Sequence, residues 1–139
     1  MHTVRHNWLA IVVAAVVYFM LGGLWFTVLK DAWLAGIGRT MADLQATAAS
    51  PAVAYCVALA FAVVIAVVLS WAIQASGPQT AARGAGIAIF LWFGFVLTTF
   101  ATEYAFEARG LRILAINTGY PLVGMMLQGA ILGAWKKKA

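Results

Sequence analysis

Charge is scarce in this chain. Its 139 residues include four acidic and nine basic side chains, and charged residues make up 9% of the total. A soluble domain carries about 25%, so no water-facing surface of ordinary size can be built from these residues. Cysteine occurs once, as Cys56, which excludes a disulfide within the chain. Histidine occurs twice, at His2 and His6. The two have helical i, i+4 spacing but stand apart from the carboxylates, and Glu103 with Glu107 has no nearby histidine to complete a metal site. A phosphate-binding loop, a metalloprotease helix motif and a Ser/His/Asp set are all missing. No catalytic constellation is visible, so the chain reads as a non-enzyme with no metal and no cofactor.

What the chain has instead is apolar length. Hydrophobic residues make up 65%. They gather into four runs, at roughly Trp8–Leu29, Ala52–Ala75, Gly84–Phe106 and Ile113–Trp135. Crossing hydrocarbon takes about 20 apolar residues at the helical rise, and each run meets that length. The predicted fold is therefore a single all-α domain: an integral membrane bundle of four transmembrane helices. Arg5 ahead of the first run imitates a signal peptide, but the run is longer than the usual hydrophobic region of about 7–15 residues. It reads as a retained first helix.

The net charge of +5 does not point to nucleic acid, because the basic residues sit at the span boundaries. Alternating spans place Arg5, Arg83 and Lys136–Lys138 on one side, and Lys30, Arg39, Arg109 and Arg112 on the other. The C-terminal lysine run suits anionic cytoplasmic lipid or serves as a simple stop-transfer anchor. Both termini are expected to be cytoplasmic.

The longest connection, roughly 30–50, repeats Trp33, Leu34, Ile37, Met41 and Leu44 at three- and four-residue steps. That spacing predicts one or two short helices lying at the interface. Thr40 and Asp43 fit a capping box. Ser50 and Pro51 read as the N-cap and first-turn proline of the second span. Ala54, Ala58, Ala62, Ala66 and Ser70 form a small-residue stripe on that span, and Gly129 with Gly133 forms another on the fourth. Both suit packing within the bundle or contact between identical chains.

Polar groups concentrate away from the termini. Thr98, Thr99, Thr102 and Glu103 lie in the third span, with Glu107 one turn on. Asn117, Tyr120 and Gln128 mark the fourth. Together they predict a polar pocket in the outer half, flanked by Trp25 and Trp92. Carboxylates inside spans are costly and mark ion pathways, so Glu103 is a candidate proton- or cation-coupling group, or else a structural partner of Arg109, Arg112 or Asn117. Its side chain is expected to point into the bundle toward Asn117 or Tyr120. Glu107, Arg109 and Arg112 read as an ion-pair cluster fastening the last hairpin, with the arginines open to anion or lipid-headgroup binding.

Several longer motifs belong together. Asn7-Trp8-Leu9-Ala10 opens the first span and Leu21-Gly22-Gly23-Leu24-Trp25-Phe26 ends it. Tyr104-Ala105-Phe106-Glu107 with Arg109, Ile116-Asn117-Thr118-Gly119-Tyr120 and Gly129-Ala130-Ile131-Leu132-Gly133-Ala134-Trp135 follow. Over nearly its whole length the chain resembles the bacterial domain-of-unknown-function 1761 family of small four-span membrane proteins. The resemblance implies a topology but no activity, and it marks Trp25, Glu107, Arg109, Asn117 and Tyr120 as pattern positions. Two departures are visible. Glu103 stands where the family pattern has a nearby amide, and Pro121 where it often has histidine. The expected location is the cell inner membrane, among lipid.

Two functions remain open at this point. One is a small oligomeric transporter or channel, with Glu103, Glu107, Arg109, Asn117, Tyr120 and Trp25 as its ligand or coupling residues. The other is a structural or accessory subunit of a larger membrane complex. The topology is testable with single cysteines at positions 80 and 110 in a Cys56→Ser background. Four spans place them on opposite sides, so a membrane-impermeant maleimide should label one in intact cells and the other only after lysis. Labelling of both from one side defeats the arrangement.

Overall fold

The computed structural model describes residues 4–48 and 50–137. His2 and Lys138 lie outside the described residues. Among those described there is no strand. The helices are α1 (Trp8–Val28), α2 (Lys30–Ile37), α3 (Met41–Thr47), α4 (Pro51–Ala75), α5 (Ala81–Leu91), α6 (Thr98–Phe106) and α7 (Leu111–Ala134). A π-helical stretch, Trp92–Leu97, joins α5 to α6, so the two form one continuous rod.

Three helices are long and apolar enough to cross a membrane: α1, α4 and the α5–α6 rod, with mean hydropathies of 2.4, 2.9 and 1.9. The fourth expected span is also a helix, 24 residues long, but it does not join them on composition. Asn117, Thr118, Tyr120, Pro121, Gln128 and its glycines dilute its apolar character. The reason is its position. α7 packs against α1, α4 and the α5–α6 rod, so its neighbours, not the surroundings, meet most of its surface.

The closest contact lies between α5 and α7. Gly84 and Gly129 meet backbone to backbone, and a Cβ on Gly84 would fall 2.0 Å from the Gly129 carbonyl oxygen. Gly133 approaches the Thr80 carbonyl in the same way. The expected glycine pair therefore works inside the chain. Farther along the rod, Ala88, Trp92, Val96, Phe100 and Tyr104 continue the face begun by Gly84, always at four-residue steps. Four residues of a regular α-helix overshoot one turn by about 40°. The wider π-helical turn between Trp92 and Leu97 absorbs part of that drift and keeps the row directed at α7.

The stripe on α4 behaves differently along its length. Ala62 and Ala66 are fully buried and Ser70 nearly so. Ala54 and Ala58 are exposed, as is every residue from Pro51 through Phe61. Within the chain α4 thus packs only over its second half, so the part of the stripe at Ala54 and Ala58 does not serve packing inside the bundle.

The long connection forms two helices, as the spacing implied. α2 turns its Trp33 side onto Phe26, with ring centroids 5.5 Å apart, and its Gly36 lies against Ile113. Met41, by contrast, is exposed. The Thr40–Asp43 capping box is complete. Hydrogen bonds from Thr40 hold the Asp43 carboxyl below its ordinary value of 3.8. The cap therefore holds at neutral pH and is lost as pH falls through that lowered range. Pro51 takes the first turn of α4, but the Ser50 side chain makes no capping bond.

Both termini and the 76–80 turn meet at one end. The Arg5 backbone N–H donates to Gln74 Oε1 at 3.0 Å, Asn7 Nδ2 to the Trp135 carbonyl at 3.3 Å and Gln79 Nε2 to the Leu132 carbonyl at 3.3 Å.

The packing can be tested on α4. Ala62→Leu should destabilise by about 1–3 kcal/mol, because added volume in a filled contact forces strain. Ala58→Leu should leave the thermal midpoint in detergent unchanged. Equal effects would show that the two alanines share one environment.

Candidate functional site

A lateral cleft of about 550 Å³ lies between α4 and the α5–α6 rod. That volume falls within the range of about 300–1,000 Å³ used by small-molecule sites. Val64, Ile65, Val68 and Leu69 form one wall, and Leu91, Phe95, Val96 and Phe100 the other. Every one is apolar. The cleft opens on the flank of the molecule, where Val64, Val68 and Phe95 are exposed. Its floor is α7, through Asn117, Tyr120, Pro121 and Met125, with Tyr18 of α1 behind. The expected polar pocket is thus an apolar cleft with a few hydrogen-bonding groups on its floor.

Pro121 explains part of that floor. It sits inside α7 and has no N–H, so the Asn117 carbonyl loses its helical donor. Two indoles brace the carbonyls on either side. Trp25 Nε1 donates to the Ile116 carbonyl at 3.0 Å, and Trp92 Nε1 to the Thr118 carbonyl at 2.9 Å. They reach α7 from different helices, α1 and the π-helical stretch. Trp25 also covers Gly119, where a Cβ would lie 2.9 Å from its ring. Trp25 therefore supports the floor and does not line the cleft.

Tyr120 is held just as firmly. Its hydroxyl donates to the Tyr18 carbonyl at 3.2 Å. The two tyrosine rings lie 4.8 Å apart, and Phe26 meets Tyr120 edge-on at 5.6 Å. The Tyr120 hydroxyl also fills the space beside Gly22, where a Cβ would approach it to 2.8 Å.

Asn117 connects the floor to the 107–110 connection. Its Nδ2 donates to the Tyr104 hydroxyl at 2.6 Å. The Arg109 guanidinium stands over the Tyr104 ring, 4.9 Å from its centroid, and pairs with Glu107. Four residues are joined in this way: Asn117, Tyr104, Arg109 and Glu107. Arg112 is exposed and takes no part in the ion pair, so the expected three-membered cluster reduces to two.

Glu103 is where expectation and structure part. It lies on the exposed face of α6, and its carboxylate makes no hydrogen bond or ion pair among the described residues. Tyr104, one residue on, is 5% exposed and faces Asn117 instead. The reason is register. The α7-facing row through Ala88, Trp92, Val96 and Phe100 arrives at Tyr104, leaving Glu103 about 100° away around the helix. Thr98, Thr99 and Thr102 share the exposed side, with hydroxyls bonded back to carbonyls four residues earlier. That four-residue row was the signal in the sequence that could have identified Tyr104.

Among the described residues no group of three or more His, Cys, Asp or Glu side chains could hold a metal ion. Fold and cleft together define an all-helical protein with membrane-length apolar helices and a flank-opening apolar pocket. The chain belongs to the DUF1761 family, whose members are described as proteins of unknown function; the family's model matches residues 9–133. Comparison with curated proteins found no match, and neither did comparison with solved structures.

The bracing indoles are testable. Trp25→Phe and Trp92→Phe should each lower stability by about 0.5–1.5 kcal/mol through the lost hydrogen bond. Trp135→Phe, at an exposed ring, should leave the melting temperature in the same detergent unchanged. Equal behaviour of all three would remove the bracing role.

Proposed function

We propose that this chain is a four-span integral membrane protein that takes an amphipathic, membrane-dissolved molecule into its lateral cleft, as a small carrier or receptor without catalysis. In this reading α7 crosses the bilayer at the centre of the bundle, shielded by the three more apolar helices. Both termini face the cytoplasm across the cell inner membrane. The observation that carries the reading is the cleft itself. It is large enough for a small molecule, apolar on both walls and open to the side on which lipid would lie.

An occupant entering from hydrocarbon needs no aqueous path. Its apolar part would meet Val64, Val68, Phe95 and Val96. A single polar group would find the Asn117 side chain on the floor. Asn117, Tyr104, Arg109 and Glu107 would tie occupancy to the 107–110 connection, which gives the sequence-predicted residues a shared role. Coupling through Glu103 loses its geometric basis, because that carboxylate stands outside the cleft.

A second reading, an oligomer or accessory subunit, rests on the free start of α4. Ala54 and Ala58 there leave room for a close helix contact.

A long-chain alcohol carrying a diazirine tests the first reading. Photolysis should label peptides containing Val64–Leu69 and Leu91–Phe100. Val68→Trp, which fills the mouth from an exposed position, should remove most of that label, while Glu103→Gln should leave it intact. Labelling spread evenly over outward residues such as Leu24 and Phe106, and indifferent to Val68→Trp, would overturn the proposal.

A further inference from the structure

A second cavity, of about 600 Å³, lies at the end where the termini meet. It is formed by Val4, Lys136 and the turn from Gln74 through Gln79. Unlike the lateral cleft it is lined by polar and apolar groups in about equal measure, and its surroundings are basic. Arg5, Arg83, Lys136 and Lys137 all lie at this end, while Asp31, Asp43, Glu103 and Glu107 lie at or beyond the opposite helix ends. Among the described residues, Glu107 with Arg109 is the one ion pair, and no described Asp or Glu side chain pairs with these cations.

The turn has a glycine-dependent shape. Gly77 has φ +122°, and a Cβ on it would meet the Arg83 guanidinium at 3.2 Å. Arg83 donates to the Ser76 carbonyl and so lies across the turn. Its guanidinium has further N–H donors to offer. The Gln74 and Gln79 side chains are already tied down. Gln74 donates to Ser70 Oγ at 3.1 Å and Gln79 to the Leu132 carbonyl at 3.3 Å. This leaves Lys136 as the cation that lines the cavity, while the Arg83 guanidinium lies against Ser76 and Gly77 of its turn.

We propose that this cavity binds the phosphate group of an anionic phospholipid. The charge asymmetry selects an anion, and phosphate accepts well from the ammonium group of Lys136. The choice of lipid over free phosphate rests on the tryptophans. Trp8, Trp71 and Trp135 are exposed at this same end, and exposed indoles mark the level of lipid headgroups. A headgroup at that depth can enter the cavity while its acyl chains stay along the apolar helices. The site is separate from the lateral cleft, so either assignment can fail without the other.

Native mass spectrometry of the purified protein with phosphatidylglycerol or phosphatidylcholine tests the proposal. Phosphatidylglycerol should be retained in preference. Lys136→Gln should weaken its retention about fivefold, the effect of one basic residue near an anionic surface. Lys136→Arg should restore it, and Lys137→Gln should leave it unchanged. Equal losses from Lys136→Gln and Lys137→Gln would show diffuse surface charge and overturn the cavity. No loss from either would do the same. Displacement of phosphatidylglycerol by millimolar inorganic phosphate would reassign the site to a soluble anion.

Discussion

Helices surrounded by hydrocarbon gain no hydrophobic free energy by associating, because the lipid tails are as apolar as the side chains they replace. Close contact is what remains. Here it is made where Gly84 of α5 meets Gly129 and Gly133 of α7, near enough that a single methyl group would collide with backbone. That approach fixes the separation of α5 and α7, and the rest of the arrangement follows. With α7 drawn against α5, its other sides are left for α1 and α4. Tyr18 fills the space beside Gly124 and Trp25 the space beside Gly119. Each glycine on α7 is therefore a seat for a particular neighbour, and the central helix is built from small residues and their large partners.

A helix enclosed in this way can carry polar groups that an outer helix could not. Gln128 is fully buried, and its Nε2 donates to the Ala62 carbonyl at 3.0 Å and the Ala14 carbonyl at 3.4 Å. One amide thus connects α7 to both α1 and α4. Its Oε1 has no partner among the described residues, which sets a desolvation cost of about 1–3 kcal/mol against those two bonds. Trp25 and Trp92 reverse the direction nearer Pro121, each spending its donor on an α7 carbonyl. Polar contacts thus run both ways between the central helix and its neighbours, and the outer faces are left to Val, Leu and Phe.

The same logic explains what could be read from the sequence. Run lengths gave the positions of all four long helices, because apolar length is a local property. The capping box at Thr40 and the glycine pair at Gly129 and Gly133 were legible for the same reason. The hydropathy of α7 was harder to interpret, since its polar residues look like a pocket lining until enclosure by three helices is known. Glu103 was misplaced because spacing alone does not fix where a helix face points. The π-helical stretch resets that face between Trp92 and Leu97, and Tyr104 takes the inward position. Ala58 stands outside the packing within the chain for a different reason. Its stripe is continuous in sequence, but the partner helices cover only the part from Ala62 onward.

The cleft has its origin in how the small residues are placed. On α4, Ala62, Ala66 and Ser70 face inward, and Val64 and Val68 alternate with them at the same level on the exposed side. On the third helix the close contact is made at Gly84 and Ala88, and past it Phe95 and Phe100 replace the small residues. These larger side chains hold the walls apart above α7. Pro121 lies in the same stretch of α7, so the opening sits over the one place where the central backbone has lost a helical hydrogen bond. An apolar cleft floored by a braced break in a helix thus stands open without unmaking any of the contacts that hold the chain together.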